Sequence, residues 1–244
     1  MKILAAFDSF KESMTAYAAG EAVQRAYNNV HICPLADGGE GTMEVMNRYL
    51  HGDIHEIEVA GPLFKTVHAK LAIVDDLAII ESAQACGLDY LTEEEKNGTE
   101  ATSYGVGEMM KYAYDHCVKR FLLTLGGSAC NDGGIGLLSG MGYGFFDQFD
   151  QRIPMNARGL ETLDHIKKTR LDLSGIEVEG ACDVTNPLCG KEGATYVFGP
   201  QKKVKDLEKT DQVMKHYAKI MSELVGKDDS CVSGAGAAGG MGYA

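Results

Sequence analysis

The sequence predicts an α/β fold of two domains, the first of which is built on an open sheet. Residues 1–50 alternate apolar strand candidates with amphipathic helix candidates, which is the order typical of open α/β sheets. After residue 54 this alternation gives way to three strand candidates joined by short turns, a pattern that favours an antiparallel meander. With 244 residues, 45% of them hydrophobic, the chain is long enough for two modest cores. We therefore predict domains at residues 1–65 and 66–244.

The first domain candidate is predicted from four elements whose apolar residues follow helix or strand spacing. Ser13 or Thr15 precedes the first helix and can cap it, and the loop ADGGEGT precedes the second. The elements are a strand over residues 2–7, a helix over 16–26, a strand over 30–34 and a helix that carries Met43, Met46 and Leu50 on one face.

The rest of the chain is predicted to form the meander, whose first strand precedes the boundary at residue 66, and then the alternating helices and strands of the second domain candidate. Short turns containing Gly61-Pro62 and Asp75-Asp76 separate the first three strands. The predicted elements are strands over residues 54–61, 66–74, 77–83, 119–125 and 178–181 and helices over 102–117 and 206–225.

Charge and apolar patterning exclude several classes of protein. The net charge is −12 and there is no basic stripe, which disfavours nucleic-acid binding. The short basic run at residues 202–205 is interpreted as a solvated helix start. No apolar run approaches the roughly 20 residues that a membrane span needs, and the N-terminus lacks the pattern of a secretory signal. The seven cysteines are odd in number and widely spaced, which predicts reduced thiols and a cytoplasmic protein.

The stretch LGGSACNDGGIG, residues 125–136, leads from a strand candidate into a helix candidate through five glycines. Glycines let the backbone approach a ligand and turn its N–H groups inward, and a helix start adds partial positive charge. The stretch is not a Walker A loop, because it lacks the lysine. We predict an anion site that can cradle phosphate, while a tight turn with close helix packing remains the alternative.

The stretch ADGGEGT, residues 36–42, repeats the pattern D-G-G-x-G of residues 132–136. Both place an acid at a strand end, where open α/β sheets bind ligands. Asp37 can hold Mg²⁺ or take the proton of a substrate hydroxyl, and helix capping is the alternative. The presence of two such loops favours the functional interpretation.

Two further stretches carry candidate site residues. CDVTNPL follows a strand candidate, so Asp183 and Asn186 are either a general base or metal ligand with an orienting amide, or an Asx turn before Pro187. GAGAAG, residues 234–239, fits G-x-G-x-x-G, but no convincing strand precedes it and no acid follows at the required distance. We interpret it as a glycine-rich loop that can bind anions.

These motifs together resemble the glycerate kinase family of the bacterial glycerate 2-kinase type. The matching stretches occur in the family's order and cover residues 2–240; they are FDSFKESMTA, LADGGEGT, IESAQACGL, TSYGVGE, LGGSACNDGGIG, CDVTNPLCGKEGATYVFGPQK and GAGAAGG. The resemblance implies ATP-dependent phosphorylation of D-glycerate with Mg²⁺. It also implies a flavodoxin-like domain formed from both ends of the chain, with a second α/β domain inserted. Family members continue beyond GAGAAGG, so we expect a C-terminal segment to be missing.

Under this resemblance, Lys11 is the candidate cation for the glycerate carboxylate or a phosphate, with Ser9 beside it. Asp37 and Asp183 share the roles of Mg²⁺ ligand and catalytic base, and Asp8 is an alternative to them. The remaining candidates contact substrate or phosphate; they are Gly38, Gly39, Gly126, Gly127, Ser128, Asn131, Asp132, Gly133, Gly134 and Asn186.

Two other functions remain open at this point. One is a kinase for a different small hydroxy acid, and the other is a non-catalytic module that binds a nucleotide or metabolite. For the kinase, 2-phosphoglycerate is the favoured product and 3-phosphoglycerate the alternative.

Overall fold

The computed structural model describes residues 1–10 and 13–244, so Lys11 and Glu12 lie outside the described residues. The described strands are β1 (Ile3–Ala5), β2 (Val30–Ile32), β3 (Asp53–Ala60), β4 (Thr66–Val74), β5 (Leu77–Glu81), β6 (Arg120–Thr124), β7 (Gly144–Phe146), β8 (His165–Lys167) and β9 (Glu177–Ala181). The described helices are α1 (Ala16–Ala26), α2 (Thr42–Leu50), α3 (Ala83–Cys86), α4 (Tyr104–Asp115), α5 (Ile135–Gly140), α6 (Ala194–Phe198), α7 (Leu207–Val225) and α8 (Ala237–Gly240). The predicted α/β fold with open sheets is confirmed.

The largest sheet has the strand order β3-β4-β5-β6-β9. The first three strands pair antiparallel, so the predicted meander is confirmed. β5, β6 and β9 run parallel, and their last residues Glu81, Thr124 and Ala181 pair in register. The carboxyl ends of three neighbouring strands therefore meet at one edge of the sheet.

The predicted domain boundary falls in the turn that joins β3 to β4. These two strands pair along their length, from Asp53 opposite Ile73 to Ala60 opposite Thr66. β3 thus shares a sheet with strands that the sequence assigned to the second domain. The division of the chain into two domains stays a prediction.

The central strands of this sheet are apolar on both faces because helices cover both. On one face, Met43 of α2 packs against Ala72 and Ile79 in a small buried cluster. On the other face, Leu71 and Ile80 belong to the main core, which α4, α5 and α7 complete. Fully covered strands of this kind carry continuous apolar runs. The covering also places α2 and its preceding loop against the large sheet.

The N-terminal elements form as predicted, with small shifts at their ends. β1 and β2 pair in parallel, from Ile3 opposite Val30 to Ala5 opposite Ile32. α1 follows β1, and the Thr15 hydroxyl accepts a hydrogen bond from the backbone N–H of Ala18, which satisfies one of the helix's free N-terminal donors. The chain therefore enters α2 from the carboxyl end of β2, next to the edge of the large sheet.

The interpretation of residues 202–205 as a solvated helix start is wrong. α7 begins later, at Leu207, and the Asp206 side chain caps it by accepting from the N–H of Lys209 at 2.9 Å. Lys202 is only 3% exposed. A buried ammonium group requires hydrogen-bond partners, and the protein provides them in the loop that follows β6.

None of the described helices combines the length and apolar character needed to cross a membrane. All seven cysteines are free, and they range from buried Cys86 and Cys130 to exposed Cys117 and Cys231.

Candidate functional site

Three loops converge where the parallel strands end. Residues 125–127 follow β6 and Cys182 and Asp183 follow β9, so their starting points lie side by side in the sheet. The loop of residues 36–41 reaches the same place from β2, because α2 packs on the sheet. Ligands bind at this edge in open α/β sheets. The structure thus brings together motifs that are far apart in the sequence.

The loop of residues 36–41 contacts the loop after β6 and the end of β9 through glycines. A Cβ atom on Gly126 would lie 2.7 Å from the Cα of Gly39, closer than real Cβ atoms come. A Cβ on Gly38 would lie 3.0 Å from the carbonyl oxygen of Ala181 at the end of β9. Gly38 and Gly127 also have φ of 93° and 69°, a region that favours glycine. These glycines are required for the close approach of backbone to backbone.

A cavity of about 530 Å³ opens between these loops. It contains the exposed side chains of Asp37 and Asp183. Eight of the predicted site residues line it: Asp8, Ser9, Asp37, Gly38, Gly39, Gly126, Gly127 and Asp183. The structure therefore groups about half of the predicted set around one cavity.

A second cavity of about 760 Å³ adjoins the first. The two share Asp8, Ser9, Glu40, Glu81 and Gln84 in their walls. The second cavity adds two described cations, Arg48 and Lys70, and an apolar wall that includes Phe10, Met14 and Met43. Acidic residues line both cavities, whereas the described cations Arg48 and Lys70 line only the second. The predicted cation Lys11 lies outside the described residues.

Local hydrogen bonds hold two of the candidate carboxylates in place. One oxygen of Asp37 accepts from the backbone N–H of Gly39 at 2.8 Å. One oxygen of Asp8 accepts from the N–H of Ser9 at 2.6 Å. Among the described residues neither carboxylate has a second hydrogen bond, and a carboxylate can accept several.

Glu81 is a site residue that the sequence analysis missed. It is the last residue of β5, is only 2% exposed and borders both cavities. One carboxylate oxygen accepts from the N–H of Met43 at 2.8 Å, in the first turn of α2, which has no side-chain cap of its own. Glu81 therefore ties the loop before α2 to the large sheet. An acid at the end of an otherwise apolar strand is the signal that marks it in the sequence.

Burial raises the pKa of the Glu81 carboxyl, and the hydrogen bonds from Met43 and Gly41 act in the opposite direction. A raised pKa means that the folded state binds more protons than the unfolded state above 4.5, the ordinary value. The stability that Glu81 contributes is then fully present below pH 4.5 and is lost as the pH rises through the raised pKa.

We expect the neutral variant Glu81→Gln to gain stability relative to the wild type as the pH rises through this window. The difference in unfolding free energy should change by at most about 1.4 kcal/mol per pH unit. Urea unfolding of both proteins between pH 4.5 and 7 measures it. A difference that is constant with pH, or that moves in favour of the wild type, would contradict the burial argument.

Ser128 and Lys202 form a buried contact behind the glycine loop. The Lys202 ammonium donates to the Ser128 hydroxyl at 3.0 Å and to the Cys130 carbonyl oxygen at 2.6 Å. Burial lowers the pKa of Lys202, and nearby Asp132 opposes that shift. The predicted contact of Ser128 with phosphate is not favoured by this arrangement, because its side chain is held inside the protein.

The second half of the LGGSACNDGGIG loop also faces inward. Asp132 has no exposed surface; it accepts from both the N–H and the hydroxyl of Ser103 at 2.8 Å and from the N–H groups of Gly134 and Gly136. These bonds fix the starts of α4 and α5. The geometry supports a structural role for Asp132, not the predicted contact with phosphate.

Neighbouring candidates are also occupied by protein contacts. The buried Asn131 amide donates to the Thr195 hydroxyl at 2.9 Å. A Cβ on Gly133 would meet Tyr217, and one on Gly134 would meet Ala244. These residues pack the loop and do not border the cavity between the three loops.

Asn186 and the GAGAAG stretch lie behind the site as well. The Asn186 amide donates to the carbonyl oxygen of Glu192 at 2.7 Å, and Asn186 does not line the cavity. Residues 234–239 are buried, and a Cβ on Gly239 would lie 2.2 Å from the Cys130 carbonyl oxygen. GAGAAG therefore supports the LGGSACNDGGIG loop from behind.

Comparison with known proteins identifies one family. The model of the glycerate kinase family matches residues 3–244. The chain is 40% identical over 254 residues to glycerate kinase of Haemophilus influenzae and 37% identical over 256 residues to glycerate 2-kinase of Escherichia coli. These matches cover 99% and 100% of this chain and 67% of each relative.

A solved structure shows the same fold. The chain superposes on a glycerate kinase 2 of Salmonella typhimurium LT2 with a TM-score of 0.87 and 39% identity, covering 99% of this chain and 69% of that one. The chain thus spans about two thirds of the length of its relatives. The resemblance found in the motifs is confirmed: this chain belongs to the glycerate kinase family.

Proposed function

We propose that the protein phosphorylates D-glycerate with ATP as the donor, assisted by Mg²⁺. The observation that carries this proposal is the convergence of three strand-end loops, with Asp37, Asp183 and the Gly126–Gly127 backbone, around one cavity in a member of the glycerate kinase family. Phosphoryl transfer requires mainly positioning and charge neutralisation. A backbone that approaches closely and acids at strand ends suit both requirements.

In the proposed reaction a hydroxyl oxygen of glycerate attacks the γ-phosphorus of ATP. The new P–O bond forms as the bond to the bridging oxygen of ADP breaks, and the hydroxyl proton passes to a carboxylate. Asp37 and Asp183 are the candidates for that base, because both side chains are exposed to the cavity. Asp8, which is partly buried, is the alternative.

The carboxylates also suit the proposed Mg²⁺. No group of three or more His, Cys, Asp or Glu side chains in the described part of the chain is spaced to hold a metal ion. Mg²⁺ usually takes one or two protein carboxylates and completes its shell with water and phosphate oxygens. Asp37 or Asp183 would serve as its protein ligand, and the ion would neutralise charge on the transferred phosphate.

For the phosphate itself we propose contact with the backbone of Gly38, Gly39, Gly126 and Gly127, which border the cavity. Lys11 is proposed for the glycerate carboxylate or a phosphate. Arg48 and Lys70 in the adjoining cavity are further cations that can attract an anionic substrate.

The test is ³¹P NMR of the chain with MgATP and D-glycerate. A new phosphomonoester signal is expected, and its coupling to protons identifies the product. Phosphate on the CH group of 2-phosphoglycerate, the favoured product, gives a doublet, whereas phosphate on the CH₂ group of 3-phosphoglycerate gives a triplet.

Lactate, tartrate and L-glycerate in parallel reactions test the alternative of another hydroxy-acid kinase, since a site that binds a hydroxyl rejects acids that lack it.

A second candidate is a module that binds a nucleotide or metabolite without turnover. The glycine-lined cavity that carries the kinase proposal is equally suited to binding a ligand without turnover. Equilibrium dialysis with MgATP separates the outcomes: binding without any phosphomonoester supports the module. The absence of both binding and product would contradict both candidates. A cytoplasmic location, predicted from the cysteines, remains part of the proposal.

A further inference from the structure

A third cavity of about 440 Å³ lies away from the candidate active site and shares no lining residue with it. It is formed by the turn after α5, by the β7–β8 pair and by residues 168–171. Its position is at the C-terminal end of α5, whereas the candidate site lies at the sheet edge near the loop that leads into that helix.

The walls of this cavity are strongly basic. Five of the chain's 23 lysines and arginines line it, and no aspartate or glutamate does. The chain as a whole has 35 acidic residues and a net charge of −12, so an acid-free basic cavity departs from the composition. The five cations are Lys111, Arg152, Lys167, Lys168 and Arg170.

Three of these cations form no ion pair with any described residue. Lys111 pairs with Asp115, and Lys167 with Asp150 at 2.5 Å, and neither acid lines the cavity. The remaining three, Arg152, Lys168 and Arg170, have no acid within 4.0 Å among residues 1–10 and 13–244. Several like charges around one space repel one another unless an anion neutralises them.

One aromatic ring holds part of this cluster in position. The Lys167 ammonium lies 4.1 Å from the centre of the Phe146 ring, and the Arg152 guanidinium lies 5.5 Å from it. Cation–π contacts of this kind orient the cationic groups. Nearby, the absence of a side chain on Gly142 leaves room for Thr169, whose hydroxyl would lie 2.8 Å from a Cβ there. The cavity therefore has ordered walls of charged and hydroxyl groups.

We propose that this cavity binds a small multivalent oxyanion of the phosphate-ester or polycarboxylate class. Arginine forks form paired hydrogen bonds with phosphate and carboxylate oxygens, and lysines add point charges. The volume lies within the range of small-molecule sites. The proposal does not depend on the kinase activity, because the residues belong to a different part of the protein.

The test uses inorganic pyrophosphate and citrate as probes and the arginine side chains as reporters. The chain has only six arginines, so ¹⁵N-arginine labelling gives few Nε signals. We expect the Arg152 and Arg170 signals to shift and saturate with a Kd of about 1 mM or below. Arg48, which lines the cavity that adjoins the candidate active site, reports binding there separately. Which probe binds more tightly identifies the source of the oxyanion, phosphate or carboxylate.

In the variant K168Q/R170Q, the affinity for the probe, followed by the Arg152 signal, should fall at least about tenfold. The double variant K191Q/K219Q removes the same charge from exposed positions outside the cavity and should change the affinity little. Shifts confined to Arg48, no shift of Arg152 and Arg170, or equal weakening in both double variants would overturn the proposal.

Discussion

Replacement of Asp183 by asparagine is expected to lower the rate of ATP-dependent glycerate phosphorylation by about 10²–10⁴-fold. Asp183 is the second residue after the end of β9, and its side chain is exposed to the cavity between the three loops. Asparagine keeps the size and the hydrogen-bonding oxygen but cannot accept a proton or neutralise a cation. The loss should therefore appear in kcat at saturating substrate, with an unchanged melting temperature because the side chain is exposed.

The matched control is Asp53→Asn. Asp53 is also an exposed aspartate, at the start of strand β3, but it lines none of the three cavities described above. It should leave both kcat and KM unchanged. Equal rates for Asp183→Asn and the wild type would remove Asp183 from the proposed chemistry and leave Asp37 as the candidate base.

The variant Lys202→Met is expected to lower both stability and nucleotide affinity. The Lys202 ammonium donates to the Ser128 hydroxyl and the Cys130 carbonyl oxygen, so its loss leaves two buried groups without that donor. Each unsatisfied group costs about 1–3 kcal/mol, and removal of a buried charge offsets part of this. We expect a net loss of about 2 kcal/mol in urea unfolding.

Lys202 acts on the site through the loop, as a positioning residue. Gly126 and Gly127 precede Ser128 directly, so release of Ser128 should raise the KM for ATP more than it lowers kcat. A loss of stability alone would lower the amount of folded enzyme and leave KM unchanged. An unchanged KM for ATP in the folded variant would contradict the positioning role.

The pH dependence gives an independent measurement. The pKa of Lys202 is lowered by burial, so the folded state loses its proton before the unfolded state does. Wild-type stability then rises with pH between the lowered pKa and 10.5, the ordinary value, while Lys202→Met lacks this contribution. The difference in unfolding free energy between the two proteins should widen with pH in that window.

The control for the effect on KM is Lys203→Met. Lys203 is next in sequence and exposed, so its replacement should change the KM for ATP little.

Local spacing predicted most of the helices and strands because the amphipathic pattern is strong in them. The buried residues of α4 and α7 recur at helical intervals, and the second half of β4 and the first four residues of β5 are apolar runs. The ends were less accurate, since caps such as Asp206 decide them by single hydrogen bonds. The burial of Lys202 had no local signal, because a lysine beside other lysines is normally solvated.

Within the candidate site, the sequence identified the strand-end acids and glycines but not their different environments. Asp37 and Asp132 stand in the same pattern, D-G-G-x-G. The structure exposes Asp37 to a cavity and buries Asp132 under four hydrogen bonds. The pattern is the same because each loop needs glycine where it leads into a helix. The loop sequence does not determine whether the start of that helix is buried or borders a cavity.

By itself, then, the sequence determined the family, the α/β class, the meander and the loops that turn at strand ends, because each depends on residue order and near-neighbour spacing. Only the tertiary structure decided which loops meet. The parallel pairing of β5, β6 and β9 and the packing of α2 on their sheet bring Asp37, Gly126 and Asp183 to one cavity. Those contacts join residues up to about 150 positions apart, and their geometry depends on the whole buried core.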